Sequence, residues 1–208
     1  MKVVFDLGGV LLNWRPYQLL QQVWPDRAKD EATAMTWASQ IFESFNPKSD
    51  WAQFDLGAIE PDDLAFKIAH RLGVSKSEMD ALIASIPNHL SPLSGTVQIL
   101  SDLKSAGHAL FFLSNMPASY ADYLESQHDF FDYFSEGIFS ARVQQIKPNL
   151  EIFQMANEKF KVSGKDTFFI DDVQHNIDAA HAHGWTGIRF DSPAQVRQKL
   201  IDLQLLEA

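Results

Sequence analysis

Lys2-Val3-Val4-Phe5-Asp6-Leu7-Gly8-Gly9-Val10 opens the chain, and its reading decides the fold. Residues 2–5 are a short apolar run of the kind that fills a buried strand. Asp6 stands at the tip of that strand, and the glycines behind it signal a turn. A carboxylate in such a place costs free energy unless it is paired, hydrogen-bonded or bound to a cation. Two other apolar runs end in the same way. Ala109–Leu113 leads into Ser114 and Asn115, and Thr167–Ile170 leads into Asp171 and Asp172. Three strand tips carrying polar groups predict a single site.

Outward from the first strand the pattern turns helical between Pro16 and His89. Candidate helices cover Gln18–Trp24, Ala28–Phe45, Asp62–Leu72 and Lys76–Ile86. The third has Pro61 at its start and Gly73 as its stop; the fourth has Ser75 and Glu78 spaced as a capping box. After Pro92 helices and strands alternate. The helices are Thr96–Ala106, Tyr120–Glu125, one opened by Pro148 and carrying Ile152, Phe153, Ala156 and Phe160, and Asn176–His183. The remaining strands are Gly137–Ser140 and Gly187–Phe190. Alternation of this kind predicts a parallel sheet covered on both faces. The expected architecture is α/β: a Rossmann-like doubly wound core of residues 1–14 and 91–208, with residues 15–90 inserted as an α-helical cap.

The 208 residues suffice for one core and a small second unit. A net charge of -10 argues against nucleic acid and anionic membranes as partners. No apolar run reaches the length of a membrane span. The chain has no cysteine, which excludes disulfides and thiol chemistry and makes the cytoplasm the default location. Nothing in the sequence decides between monomer and homodimer.

In an open α/β sheet the ligand lies beyond the carboxyl ends of the strands. Asp6, Ser114, Asn115, Asp171 and Asp172 therefore share one rim, and Lys147, just before Pro148, is within reach of it. Gathered carboxylates repel one another unless a hard cation sits among them. Mg²⁺ is the natural candidate, since it takes oxygen ligands and leaves places for water and a substrate phosphate.

Phe5-Asp6-Leu7-Gly8-Gly9-Val10-Leu11, Leu113-Ser114-Asn115, Lys147-Pro148 and Phe169-Ile170-Asp171-Asp172 with Asn176 resemble the four ordered motifs of the haloacid dehalogenase superfamily. The helical insert resembles that superfamily's small cap. The resemblance implies a phosphatase of small phosphorylated metabolites. Asp6 would be the nucleophile, and Mg²⁺ would bind Asp6, the Gly8 carbonyl, Asp172 and, directly or through water, Asp171. Ser114, Asn115 and Lys147 would hold the phosphoryl group.

One position departs from the pattern. Most phosphatases of the superfamily carry a second Asp two residues after the nucleophile, as acid and base; here that residue is Gly8. An acidic leaving group, a cap residue or a water would have to make up for it. The alternatives are a 2-haloacid dehalogenase, which shares the gap but has no use for Asp171 and Asp172, and a phosphate-binding regulator of weak turnover. The opening motif and Trp51–Ile59 resemble the branch that includes α-D-glucose-1-phosphate phosphatase, whose anomeric leaving group fits the gap.

Other residues invite plainer readings. Trp37 reads as packing. Trp14 and Trp51, near the hinge and the cap loop, are the tryptophans to watch. Arg15 stands open between a substrate contact and a surface ion pair. His175, His181 and His183 lack metal-site spacing and read as surface or packing residues. Gly8 and Gly9 begin neither a dinucleotide fingerprint nor a P-loop.

Overall fold

A computed structural model describes residues 1–43, 46 and 48–207. Five strands form one parallel sheet: β1 (Lys2–Phe5), β2 (Ala109–Ser114), β3 (Glu136–Phe139), β4 (Thr167–Asp171) and β5 (Thr186–Arg189). Their order is β3-β2-β1-β4-β5. β1 is central, with Val3 registered against Leu110 on one side and Phe168 on the other. Val3 and Phe5 face one apolar cluster and Val4 the other, so all three are fully buried. That is why the strand reads as a continuous apolar run.

Between β1 and β2 the chain forms α1 (Pro16–Val23), α2 (Glu31–Ile41), α3 (Asp50–Asp55), α4 (Pro61–Leu72) and α5 (Lys76–His89). Within this insert α4 packs on α5 and α1 on α2. The core helices are α6 (Ser94–Ser105), α7 (Ala118–Gln127), α8 (Ser140–Val143), α9 (Leu150–Phe160), α10 (Gln174–Ala182) and α11 (Pro193–Asp202). α9 and α10 cover the Val4 face, while α6, α7 and α11 cover the other. No helix among the described residues is long and apolar enough to cross a membrane.

Several boundaries differ from the sequence reading. α2 begins at Glu31, not Ala28, because Asp30 accepts from the Thr33 amide at 2.8 Å and caps it. Its expected end at Phe45 lies outside the described residues. α5 continues past Pro87 to His89. Proline there removes the amide that would have met the Ile83 carbonyl. The Tyr120 hydroxyl donates to that carbonyl instead, at 2.7 Å, so the helix loses a donor without orphaning an acceptor. α3, α8 and α11 are additions to the expected set, α8 beginning at Ser140, which the sequence reading gave to a strand. α3 and α11 are each capped by a serine: Ser49 Oγ accepts from the Ala52 amide and Ser192 Oγ from the Gln195 amide.

From β1 the chain builds β2 and β3 on one side, then crosses to β4 and β5 on the other. The reversal leaves a crevice beyond the carboxyl ends of β1 and β4. The insert lies over that end through α3 against α8 and α5 against α7.

Candidate active site

Asp6 prolongs β1, its amide donating to the Ile170 carbonyl at 2.9 Å. Its carboxylate accepts from the Leu7 amide at 2.7 Å and pairs with Lys147 Nζ at 2.9 Å. Lys147 also donates to Asp171 Oδ2 at 2.7 Å. Asp171, wholly buried, further accepts from the Val173 amide at 2.8 Å and from Asn176 Nδ2 at 3.1 Å and 3.0 Å. Lys147 is fixed from behind as well. Its amide donates to Asn115 Oδ1 at 2.8 Å, and its carbonyl accepts from Asn115 Nδ2 at 3.0 Å. Asn115 thus stitches the end of β2 to the loop that delivers the ammonium.

Gly9 shows why a glycine stands in this turn. Its φ is +74°, and a Cβ there would lie 2.4 Å from Asp172 Oδ2. The close approach of that backbone sets the Asp172 carboxylate beside Asp6. Gly8 is different, because a Cβ would meet nothing within 4 Å. Its position is empty space at the cavity wall.

One carboxylate oxygen each from Asp6, Asp171 and Asp172 lie within 4.8 Å of one another. Burial pushes the Asp6 carboxyl up to about 7; Lys147 pulls it down, and Asp171 and Asp172 push it further up. Asp172 is raised to about 6, by burial and then by Asp171. An ion pair and a raised pKa coexist on Asp6 because one ammonium serves several carboxylates. Burial alone would lower the Lys147 pKa, but Asp171 and Asp6 outweigh it and keep the ammonium charged. The charge deficit suits a hard divalent cation, and the donors are all oxygen. Among the described residues no intramolecular acceptor meets the Gly8 and Asn115 amides, and nothing is bonded to the Ser114 hydroxyl. Those donors face a cavity and are free to bind an anion.

The cavity has this polar floor and an apolar roof. Asp6, Gly8, Ser114, Asn115, Lys147 and Asp172 line the floor, and Asp171 lies behind Lys147. Trp14, Trp51, Ile86 and Leu90 line the roof, with Met116 and Ile146 at its edge. Trp14 packs edge-on against Phe42 at 5.2 Å, and Phe42 against Trp51 at 4.6 Å. Phe54 continues the series to Tyr120 at 5.5 Å.

Trp14 and Trp51 therefore stand at the cavity. Trp37 packs on Trp24 and the Arg27 guanidinium, away from it. Arg15 is also away from it, its carbonyl bonded to His89 and no ion pair on its side chain among the described residues. His175 stands on the cavity rim, which the sequence did not foretell. His183 packs on Phe153 and Trp185, and bonds Asn157. The residue that the sequence reading missed is Asp55, the last residue of α3, which also lines the cavity. Its only sequence signal was its place inside Trp51–Ile59.

Comparison with known proteins fits this site. A sequence profile of haloacid dehalogenase-like hydrolases matches residues 3–184. The chain belongs to that family. It is accordingly a hydrolase, with the Rossmann-like sheet expected of it. Sesquiterpene phosphatase astK of Aspergillus oryzae is 31% identical over 186 residues, 89% of this chain and 87% of that protein. Among solved structures, a haloacid dehalogenase family enzyme of Bacteroides thetaiotaomicron, bt-2542, in complex with magnesium and inorganic phosphate, superposes with a TM-score of 0.69 at 23% identity. The match covers 91% of this chain and 93% of that one. L-2-haloacid dehalogenase of Xanthobacter autotrophicus, with chloropropionic acid covalently bound, gives 0.68 at 19% identity over 97% of this chain and 82% of that one. At such identities these structures share the family's fold.

Proposed function

We propose that this haloacid dehalogenase-like hydrolase is a Mg²⁺-dependent phosphatase of small organic phosphates, working through an aspartyl-phosphate on Asp6. The observation that carries this reading is the cluster of Asp6, Asp171 and Asp172 around a single lysine, opposite free amide and hydroxyl donors. Asp6, Asp172 and the Gly8 carbonyl would hold the metal, with Asp171 reached through water. When bound, Mg²⁺ would neutralise the carboxylates and polarise the phosphoryl oxygens. Lys147 would screen Asp6 from the incoming dianion. The Ser114 hydroxyl and the Gly8 and Asn115 amides would hold the transferring oxygens where charge develops. A metal-free dehalogenase would have no use for Asp172 in the cavity.

The roof supports a substrate with an apolar body. Trp14, Trp51, Ile86 and Leu90 offer surface, not hydrogen bonds. The Tyr120 hydroxyl donates to the Ile83 carbonyl, and Ser49 Oγ accepts from the Ala52 amide. A sugar would need several free polar partners there, and Asp55 is the carboxyl group that the roof offers. The relative in Aspergillus is a sesquiterpene phosphatase, and a sesquiterpene is an apolar body. A sugar 1-phosphate remains the second reading, favoured by the missing carboxylate at Gly8. Phosphate release with Mg²⁺ from an isoprenyl monophosphate, a sugar 1-phosphate and a sugar 6-phosphate tests both. The roof predicts at least tenfold preference in kcat/KM for the isoprenyl substrate. Preference for either sugar phosphate would contradict the apolar assignment.

A further inference from the structure

We propose, resting on the phosphatase reading, that Asp55 of the helical insert is the acid–base residue of the reaction, delivered from the roof to do what the empty position 8 does not. An alkoxide leaves a phosphoryl group only with difficulty unless a proton meets it. The floor holds no spare donor for this. Lys147 is shared by Asp6 and Asp171, and Asp172 belongs to the carboxylate cluster. The Tyr120 hydroxyl proton is given to the Ile83 carbonyl. His175 is exposed on α10, on the floor side beside Asp172. In-line transfer sends the leaving oxygen away from the attacking carboxylate, toward the roof. Asp55 is the carboxyl group that the roof contributes to the cavity, and its side chain has no hydrogen bond or ion pair among the described residues.

Its position is fixed from both sides. The Asp55 carbonyl accepts from the Ser140 hydroxyl at 2.5 Å, and Ser140 Oγ in turn accepts from the Met116 amide at 2.8 Å. Two residues on, Gly57 adopts a φ of +74° and lies so close to α8 that a Cβ would be 3.0 Å from the Ala141 carbonyl. Ser140 and Gly57 are therefore positioning residues for Asp55. The charges facing Asp55 are Asp6 and Lys147 from the floor. Burial first, and then Asp6, push its carboxyl up to about 8, against the pull of Lys147, so it carries a proton at neutral pH. That is the state a general acid must start from.

An Asp6 oxygen bonds to phosphorus as the bond from phosphorus to the ester oxygen breaks, and the Asp55 proton passes to that oxygen. The Asp55 carboxylate then takes a proton from water as the water oxygen bonds to phosphorus. The bond from phosphorus to Asp6 breaks, and phosphate leaves with Asp55 protonated again.

The test compares an alkyl phosphate with p-nitrophenyl phosphate, whose leaving group needs no proton. Asp55→Asn should lower alkyl phosphate turnover by about 10²–10⁴-fold. With p-nitrophenyl phosphate it should give a burst of nitrophenol followed by a slow steady state, because only the water step still needs the base. Asp55→Glu should recover much of the alkyl activity. Gly8→Asp in the Asp55→Asn background should recover it also, since position 8 has room for a side chain. Should the asparagine variant not fold, Asp55→Ser serves for the same burst. Alkyl turnover within threefold of wild type in Asp55→Asn would overturn the assignment. So would an equal fall on both substrates without a burst. If the wild type released phosphate from neither substrate, the phosphatase reading itself would fall and take this assignment with it.

Discussion

Lys147 is where the electrostatics of the site are decided. Its side chain is 1% exposed and touches both Asp6 and Asp171, so removing it strands two buried carboxylates. Breaking a buried pair from one side costs about 3–5 kcal/mol. Lys147→Met should therefore lower the unfolding free energy in metal-free buffer by that amount, read from urea denaturation. An unchanged midpoint would mean that the carboxylates are neutral without it. Single residues in this site were legible to different degrees. Asp6, Asp171 and Asp172 announced themselves by standing at the tips of apolar runs. Lys147 did so only through its place before Pro148. Asp55 gave no such sign, because its role depends on where the end of α3 lands. Ser140 and Ala141 decide that, and they are 85 and 86 positions beyond it in the chain.

At the scale of elements, the contact of α5 with α7 rests on an exchange of donors. Pro87 gives up a backbone amide, and Tyr120 supplies a hydroxyl to the carbonyl left over. Tyr120→Phe should leave the Ile83 carbonyl buried and unsatisfied and cost about 1–3 kcal/mol. A thermal melt unchanged from wild type would show that water replaces the hydroxyl. α3 makes a second case. Ser49 caps a helix of 6 residues, which has little stability of its own. Ser49→Ala should cost about 0.5–2 kcal/mol and, by loosening the element that ends in Asp55, lower kcat more than it changes KM. A raised KM at constant kcat would place the effect on substrate binding instead. The same shortness explains why α3 escaped the sequence reading: six residues give less than two turns, too few for an apolar period to show. β1, β2 and β4 were legible as apolar runs closed by a polar tip, while β3 and β5, where only Ile138, Phe139 and Ile188 are buried, were legible from their places between helices. The cap of α2 at Asp30 was not, since an acidic surface residue reads equally as a solvated one.

The whole molecule holds more buried carboxylates than it has cations to match, and its stability should follow. In the folded, metal-free protein burial pushes the Asp6 carboxyl up to about 7 and that of Asp55 up to about 8, from an ordinary 3.8 for each. Between those limits the folded chain keeps protons that the unfolded chain has lost, so stability falls as pH rises through the window. His128 and His183, held below their ordinary value by burial, act in the opposite sense, but only below about pH 6.5. In EDTA the melting temperature should therefore be lower at about pH 8 than at about pH 6.5. Mg²⁺ should narrow the gap, because it favours ionised Asp6 and Asp172. A metal-free protein that gained stability over that interval would contradict the burial assigned to these groups.

The sheet order, with its reversal beside β1, brings Asp6, Lys147 and Asp172 from three distant segments to one crevice. The chemistry proposed for that crevice is tested most directly by phosphate release from an isoprenyl monophosphate, measured for wild type and Asp6→Asn, each with Mg²⁺ and with EDTA. Release by the wild type with Mg²⁺, and loss of several orders of magnitude on chelation or on the single substitution, is the predicted result. Release that survives EDTA, or that survives the loss of the Asp6 carboxylate, would contradict a metal-assisted transfer to Asp6.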